Sequence, residues 1–571
     1  MRHSLPACAA FASAVVVAAA SAVVPAAAQP AGQYRAFWVD TFNTSLADHG
    51  DVLAVVDKAR AAHANAIFAQ VRRRGDSWYL DSLEGPAEIV PPAKPLAPGF
   101  DPLADLIAEA HAAGIEAHAY VIAAAIWNRH PTILAPPAWP SHPFNLHGFN
   151  QATRTLYTGR DNWLTRTLIP DGTASVSFQG TRIGSDFWID FGHPDAEAYT
   201  VDVLTHLVRS YDVDGLHLDR IRYPEISISG QTPSTGTSIG YNETSVARFN
   251  QHYGRPAGVN PTQNDPLWSQ WRRDQVTNVV RRVYLNAVAI RPQIKLSAAL
   301  IAFGGGPTTE ASWSSAEAYW RVYQDWRAWT EEGILDVAAP MIYKAEHSST
   351  IRPQWDQWSE WTKNHAYNRS TMMGQGAFVN AIEGTLRQVR RAFTPSSAGH
   401  FTSGVIFFSM ATPDVAVTAN PFSIPPNQST PARGFFELAS GLTTGRSRDG
   451  TRLYEDPSAN AVPVFADEAF VPDMPWKSIP AAGHLMGFVR DEAGRVVDAG
   501  SVSIARVEED EAPETTRTNI AGVTDGGGFY GGVDLASGHY QVTVTPVGQP
   551  AYTTACTTAV TAGRVTSFDV T

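Results

Sequence analysis

The sequence predicts a (β/α)8 (TIM) barrel followed by a small all-β sandwich. Three observations carry that expectation. Eight short apolar segments alternate with helical stretches between residues 34 and 410. The fourth, within the run DVDGLHLDRIRYP at 212–224, places Leu216 and Leu218 on one face and His217 and Asp219 on the other. From residue 483 the pattern becomes short strands and turns, as in HLMGFVRDEAGRVVDAGSVSIARV.

Taken in order, residues 1–28 read as a signal peptide. Arg2 and His3 start it, 11–20 is apolar, and Ala26-Ala27-Ala28 precedes Gln29 as a small-residue cleavage site. Pro25 and Pro30 argue against a retained anchor, and Cys8 lies before the apolar stretch, against a lipoprotein signal. The expected location is secreted or periplasmic, in the cell envelope, with no integral membrane segment after cleavage. The mature chain keeps only Cys556, so it forms no intramolecular disulfide.

The barrel is expected over 29–449, with strands at 34–41, 66–72, 116–122, 215–219, 295–301, 337–343, 371–378 and 404–410. Helical spacers fall at 51–63, 101–113, 196–211, 268–289, 316–332 and 381–392, and 434–442 reads as a closing helix. An open doubly wound sheet is the alternative, but WVDTFNTS follows the first strand where a glycine-rich phosphate loop would stand. Two polar segments, about 127–186 and 222–264, read as excursions over the mouth of the barrel. The proline-rich stretch 450–480 reads as a linker crossed by few contacts, and 481–571 as the sandwich.

The net charge of −12 argues against a nucleic-acid partner, which would need a basic surface. Sixteen Trp and eighteen Tyr supply many rings able to stack on the apolar faces of sugars. No HExxH, paired cysteines or Asp-rich calcium loop appears, so neither metal nor cofactor is expected. A GxSxG elbow is also missing.

Six segments in order, RAFWVDTFN, FAQVRRRGDSWYLDSLEG, FDPLADLIAEAHAAGIEAHAYV, DGLHLDRIRYP, WSQWRRDQVTNVVRRVY and DVAAPMIYK, resemble the glycosyl-hydrolase-like 10 proteins over roughly 34–415. That resemblance implies a bacterial (β/α)8 glycosidase, and some similar members act on peptidoglycan glycan strands stripped of stem peptides. The C-terminal GFVRDEAGRVVDAG and TDGGGFYGGVDLASGHYQVTV resemble a carboxypeptidase-regulatory-like, transthyretin-type module, which implies no catalysis of its own.

Glycoside hydrolysis normally uses two carboxyl groups, one protonating the leaving oxygen while the other attacks the sugar or activates water. Asp219, at the C-terminal end of the fourth strand where such barrels build active sites, is the first. Glu346, three residues past Tyr343, is the expected partner, with Lys344 and His347 placed to tune it. Asp40 at the end of the first strand, and Glu225, are the alternatives. Asp336 opens its strand, at the stability face of the barrel, and reads as structural. The substrate-binding set is Trp38, Asp40, Arg72, His217, Tyr223, Tyr343 and Lys344. Trp38 and Tyr343 are expected to contact sugar rings, and Arg72 to bind a sugar carboxyl such as a lactyl group or else to pair with Asp76 or Asp219. The expected partner is a polysaccharide. A hydrolase of another extracellular polysaccharide and a silent carbohydrate-binding barrel are the competing readings.

Overall fold

The computed structural model describes residues 32–88, 94–128, 136–175, 182–184, 186–225, 238–415, 432–450, 452–453, 463–508 and 512–571. The signal-peptide segment lies outside the described residues. Eight parallel strands close into a barrel: β1 (Tyr34–Val39), β2 (Ala66–Arg72), β3 (Glu116–Ile122), β4 (Gly215–Asp219), β5 (Lys295–Leu300), β6 (Val337–Ile342), β7 (Ser370–Gly376) and β8 (Gly404–Phe408). Closure comes from β1 pairing with both β8 and β2, Ala36 lying opposite Ile406 on one side and Ala66 on the other. The strands are near-continuous runs of buried residues, as parallel strands covered on both faces must be.

Helices α1 (His49–Ala61), α2 (Pro102–Ala112), α3 (Pro194–Ser210), α4 (Pro266–Ile290), α5 (Trp326–Glu332), α6 (Arg352–Asn364), α7 (Ile382–Ala392) and α8 (Phe435–Thr444) follow the strands in turn. Local chemistry starts several of them. Asp48, Asp101 and Asp265 cap α1, α2 and α4 by accepting from backbone N–H groups of the first turn, and Pro occupies the opening of α2, α3 and α4. Helix α6 is not among the expected spacers, yet Trp355, Trp358 and Trp361 bury one face of it at helical spacing. The expected helix 316–332 is instead a broken segment, with a 3-10 turn at Glu310–Ser315, a short helix at Glu317–Trp320 and then α5.

Both mouth excursions are present where described, and they are tied together. In the first, Ala125–Asn128 pairs with Asp186–Trp188. In the second, Ser238–Ile239 pairs with Thr167–Leu168 of the first, and the helix Glu243–His252 follows.

The stretch 450–480 differs from the expected loose linker. Phe465 is fully buried in the barrel's main core, and its backbone N–H bonds to Leu442. Arg35 lies 4.4 Å over the Phe465 ring and donates to the Asp467 carbonyl, while the Asn65 amide donates to Ala469. Trp476 Nε1 donates to Asp336 Oδ1 at 2.7 Å, and Lys477 Nζ sits 3.1 Å from Asp336 Oδ2. Asp336 is thus structural, as expected, and it anchors a segment that crosses the N-terminal end of the barrel. Proline content marks where helix stops, but it is silent about apolar anchors spaced among the prolines.

Beyond it, two small sheets pack face to face around Leu485, Val502, Ile504, Tyr530, Val542 and Val544. They dock on the barrel: Phe529 and Val533 join the barrel's core, and Arg369 pairs with Asp534 at 2.6 Å. Few-contact separation of the sandwich is therefore not what the fold shows. Burial pushes the Lys477 ammonium down, against the Asp336 charge that holds it up. Asp336→Asn leaves that ammonium buried without its counter-charge, which costs about 3–5 kcal/mol when a buried pair is broken. The expected result is a marked fall in melting temperature, read by calorimetry, and an unchanged melt would return this contact to the periphery.

Candidate active site

Asp219 closes β4 at the mouth. Its Oδ2 accepts from Tyr120 Oη at 2.7 Å, and its Oδ1 accepts from the Arg220 backbone N–H at 2.7 Å. Burial, and then Asp219 itself, push the Tyr120 phenol well above its ordinary range, so the phenol keeps its proton and donates. Arg220 adopts the left-handed region with φ of 51°, uncommon outside glycine, as it leaves the strand. Its guanidinium bonds Asp186 on the first mouth excursion, and Arg74 Nε donates to the same carboxylate at 2.5 Å. Burial raises the Asp186 carboxyl, but Arg220 and Arg74 outweigh it and hold the group below its ordinary value.

Asp40 follows β1 and is buried. Asn43 Nδ2 donates to its Oδ1 at 2.6 Å, while Oδ2 is buried without a hydrogen-bond partner. Tyr343, just past β6, feels both carboxylates: burial first, then Asp219, then Asp40 raise its phenol far above the ordinary value. Asp219, Asp40 and Tyr343 stand at the C-terminal ends of β4, β1 and β6. Tyr343 is half-buried and packs edge-on against Phe378 at 5.4 Å, with Phe408 5.8 Å away. These three rings, from the ends of β6, β7 and β8, make an aromatic wall at the mouth. Phe42, past the end of β1, is exposed, with the Arg73 and Arg74 guanidinium groups 5.1 and 4.8 Å from its centroid.

Lys344 is buried near the rim, and burial lowers its ammonium to about 8, opposed by Glu317.

Several expected site residues are placed elsewhere. Glu346, expected as the second catalytic carboxylate, gives both oxygens to Arg391 of α7 at 2.7 Å each, and its backbone N–H bonds Asn380. That carboxylate holds an outer helix to its strand and is not a free group at the mouth. Arg72, expected to bind a sugar carboxyl, is fully buried. Its Nε and Nη2 donate to Glu84 at 2.7 Å each, and Nη1 to the Ile122 and Ala123 carbonyls. A register shift between Gln70 and Arg72 breaks the alternation that would have aimed it inward.

Trp38 and His217 form a sealed layer below the mouth. Gly374 makes room for the indole, because a Cβ there would meet Trp38 Cη2 at 3.2 Å. Trp38 Nε1 donates to His217 Nε2 at 2.9 Å, so that nitrogen presents its lone pair and Nδ1–H donates to Ser297 Oγ at 2.8 Å. Burial, and then His118, lower the imidazole well below its ordinary value, in keeping with this neutral tautomer. Both residues are floor packing and not sugar contacts. Tyr223 is also buried, bonding Asp190 through its hydroxyl at 2.9 Å. Glu225 is held by Arg222 at 2.6 Å.

Among the described residues, His49, Asp105 and Glu109 form the grouping with metal-ligand reach, but His49 is exposed and its 2.9 Å pairing with Asp105 accounts for the cluster. Also among the described residues, no helix is long and apolar enough to cross a membrane. Cys556 is free and exposed.

Phe378→Ala removes a ring from the wall without opening the sealed layer. Weaker polymer binding by about 2–10-fold is expected, the range of about 0.5–1.5 kcal/mol for an aromatic contact, with melting temperature little changed. Isothermal titration against soluble glycan checks this, and a large loss of melting temperature with normal binding would return the ring to the core.

Carboxyl groups and an aromatic wall at the C-terminal mouth of a (β/α)8 barrel suit the chemistry of a glycoside hydrolase. The chain belongs to the glycosyl hydrolase-like 10 family, whose model matches residues 33–391. It is 25% identical over 336 residues to glycosyl hydrolase YngK of Bacillus subtilis, covering 57% of this chain and 55% of that protein. It is 23% identical over 310 residues to glycosyl hydrolase DigH of Escherichia coli K12, covering 54% of this chain and 60% of that protein. The chain thus matches little more than half the length of these curated relatives. The glycoside hydrolase domain of PgaB (BpsB) from Bordetella bronchiseptica aligns over 68% of this chain and 97% of its own, at 12% identity and a TM-score of 0.44.

Proposed function

We propose that the protein is an exported glycoside hydrolase that cuts a cell-wall polysaccharide, peptidoglycan glycan strands lacking stem peptides, with Asp219 and Asp40 as its two carboxyl groups. The observation that carries this reading is Asp219 at the C-terminal end of β4, held by the Tyr120 hydroxyl and the Arg220 N–H, with Asp40 following the end of β1. Two neutral donors hold Asp219, an arrangement suited to a charged carboxylate acting as nucleophile or base. Asp40 keeps Oδ2 unbonded, free to carry the proton that passes to the leaving oxygen as the glycosidic bond breaks. The other carboxylate supplies the electron pair to the anomeric carbon, directly or through water, and the sugar fragment gains the hydroxyl of water.

With Arg72 withdrawn, Arg73 and Arg220 are the rim guanidinium groups that a lactyl carboxylate could meet. Family membership supports the reaction class, and the resemblance to members acting on stripped glycans supports the substrate. The C-terminal sheets are read as a non-catalytic accessory module, and residues 1–28 as the segment removed on export. The test is digestion of purified stem-peptide-free glycan strands, with products read by mass spectrometry and terminal sequencing of protein from the envelope or medium. Intact strands alongside cleavage of a different polysaccharide would overturn the substrate, and an intact Met1 on protein from the envelope or medium would overturn the removal of residues 1–28.

A further inference from the structure

The turn Asp525–Gly526–Gly527–Gly528 of the sandwich reaches between α3, α4 and the mouth-excursion helix Glu243–His252. A Cβ on Gly526 would lie 2.6 Å from Arg248 Cζ and 2.8 Å from Pro194 Cβ, so only glycine lets the turn come this close. Asp525 Oδ1 accepts from Gly527 N at 2.7 Å and Phe529 N at 2.8 Å, and Oδ2 meets Arg282 Nη1 at 3.0 Å. A second sandwich carboxylate, Asp498, takes a two-pronged bond from Arg248, with Nε and Nη2 each at 2.7 Å. Arg248 also donates to the Gly192 carbonyl and to Gln275.

One turn earlier on the same face, that helix reaches the loop that follows β4. Ser245 Oγ donates to Asp190 Oδ1 at 2.7 Å, and Tyr223 Oη, four residues after Asp219, donates to the same oxygen at 2.9 Å. Asn242, the helix cap, bonds the Asn162 and Leu164 carbonyls of the other excursion.

We propose that the sandwich is a positioning element of the active site: Asp498 and the Asp525–Gly528 turn grip the helix Glu243–His252 and so fix the loop that carries Tyr223 away from Asp219, and ionisation of Glu197 loosens the grip.

Glu197, in the first turn of α3, is fully buried at this junction, and neither of its side-chain oxygens has a partner that satisfies hydrogen-bond geometry. The charged groups that act on it are Asp525 from the sandwich, Arg282 from α4 and Arg248 from the excursion helix. Arg248 and Arg282 already face Asp498 and Asp525, so a charged Glu197 adds a buried negative charge. Burial, and then Asp525, raise its carboxyl well above the ordinary 4.5, against Arg282 and Arg248. A raised carboxyl stabilises docking through its neutral form. That contribution is complete below pH 4.5 and is lost as pH rises above it.

The activity arm of the test rests on the proposed function, and the exchange arm does not. Hydrogen exchange of the full chain, corrected to protection factors across pH 5–8, is measured for wild type, Asp498→Asn and Glu197→Gln. Asp498→Asn is expected to lower protection of 243–252 and 220–225 while leaving the barrel strands protected, and to raise polymer KM by about fivefold or more with kcat little changed, the low end of coupling between distinct sites. Wild type is expected to lose protection there as pH rises, and Glu197→Gln to hold it. If Glu197→Gln fails to fold, Asp525→Asn, which keeps the turn's acceptor oxygen, replaces it. Unchanged protection in Asp498→Asn, or the same pH dependence in wild type and Glu197→Gln, overturns the proposal. Normal exchange behaviour with no cleavage of any glycan overturns only the proposed function.

Discussion

Replacement of Asp219 by asparagine is expected to lower turnover on a cleavable glycan by at least about 10²–10⁴-fold, the size of a general acid–base contribution, and by more if Asp219 is the nucleophile. Asparagine keeps one acceptor oxygen for the Arg220 N–H, and its NH2 can donate to the Tyr120 oxygen in place of the bond it now accepts, so the strand end keeps most of its hydrogen bonding. The loss must therefore appear in kcat with a near-normal melting temperature. Single-turnover measurement on a defined oligosaccharide checks it. Near-normal turnover on a substrate that wild type cleaves would end the assignment.

The second large effect separates Asp40 from Glu346. Asp40→Asn is expected to match the loss at Asp219, because it removes the proton carrier while Oδ1 can still accept from Asn43. Glu346→Gln is expected to leave turnover within a few-fold of wild type. Its cost falls on stability, about 1.5–3 kcal/mol for charge-assisted bonds to Arg391. Melting curves and initial rates on the same preparations distinguish the two. An inactive, fully stable Glu346→Gln alongside an active Asp40→Asn would reverse the pairing.

What the sequence makes legible here is whatever depends on local period. The two-residue alternation of GLHLD puts Asp219 at a strand end, and the structure keeps it there. All eight barrel strands are recognisable from short apolar runs, because burial on both faces leaves little choice of residue. The site is less legible because its geometry is set by departures from period. One register shift turns Arg72 from the lumen to Glu84. Glu346 lies past its strand, where alternation no longer applies, and its partner Arg391 is 45 residues away. Asp186, which ties Arg74 and Arg220 together, stands in an excursion that carries no periodic signal. Trp38 and Tyr343 share an aromatic character in sequence, yet one is sealed beneath Gly374 and the other opens on the mouth.

The strap across the N-terminal end of the barrel bears on how the chain reaches its native state. Arg35 bonds a carbonyl 432 residues further on, and the Asn65 amide one 404 residues further on. The strand synthesised first therefore completes its surroundings only when nearly the whole polypeptide is present. At about 5–20 residues per second, β1 waits tens of seconds for these partners. During that interval its apolar faces are open to chaperones. Contacts of such long range also slow the search itself, since loop closure precedes any stabilising gain. The late strap thus leaves the first strand incompletely packed in the growing chain until its last partners are made.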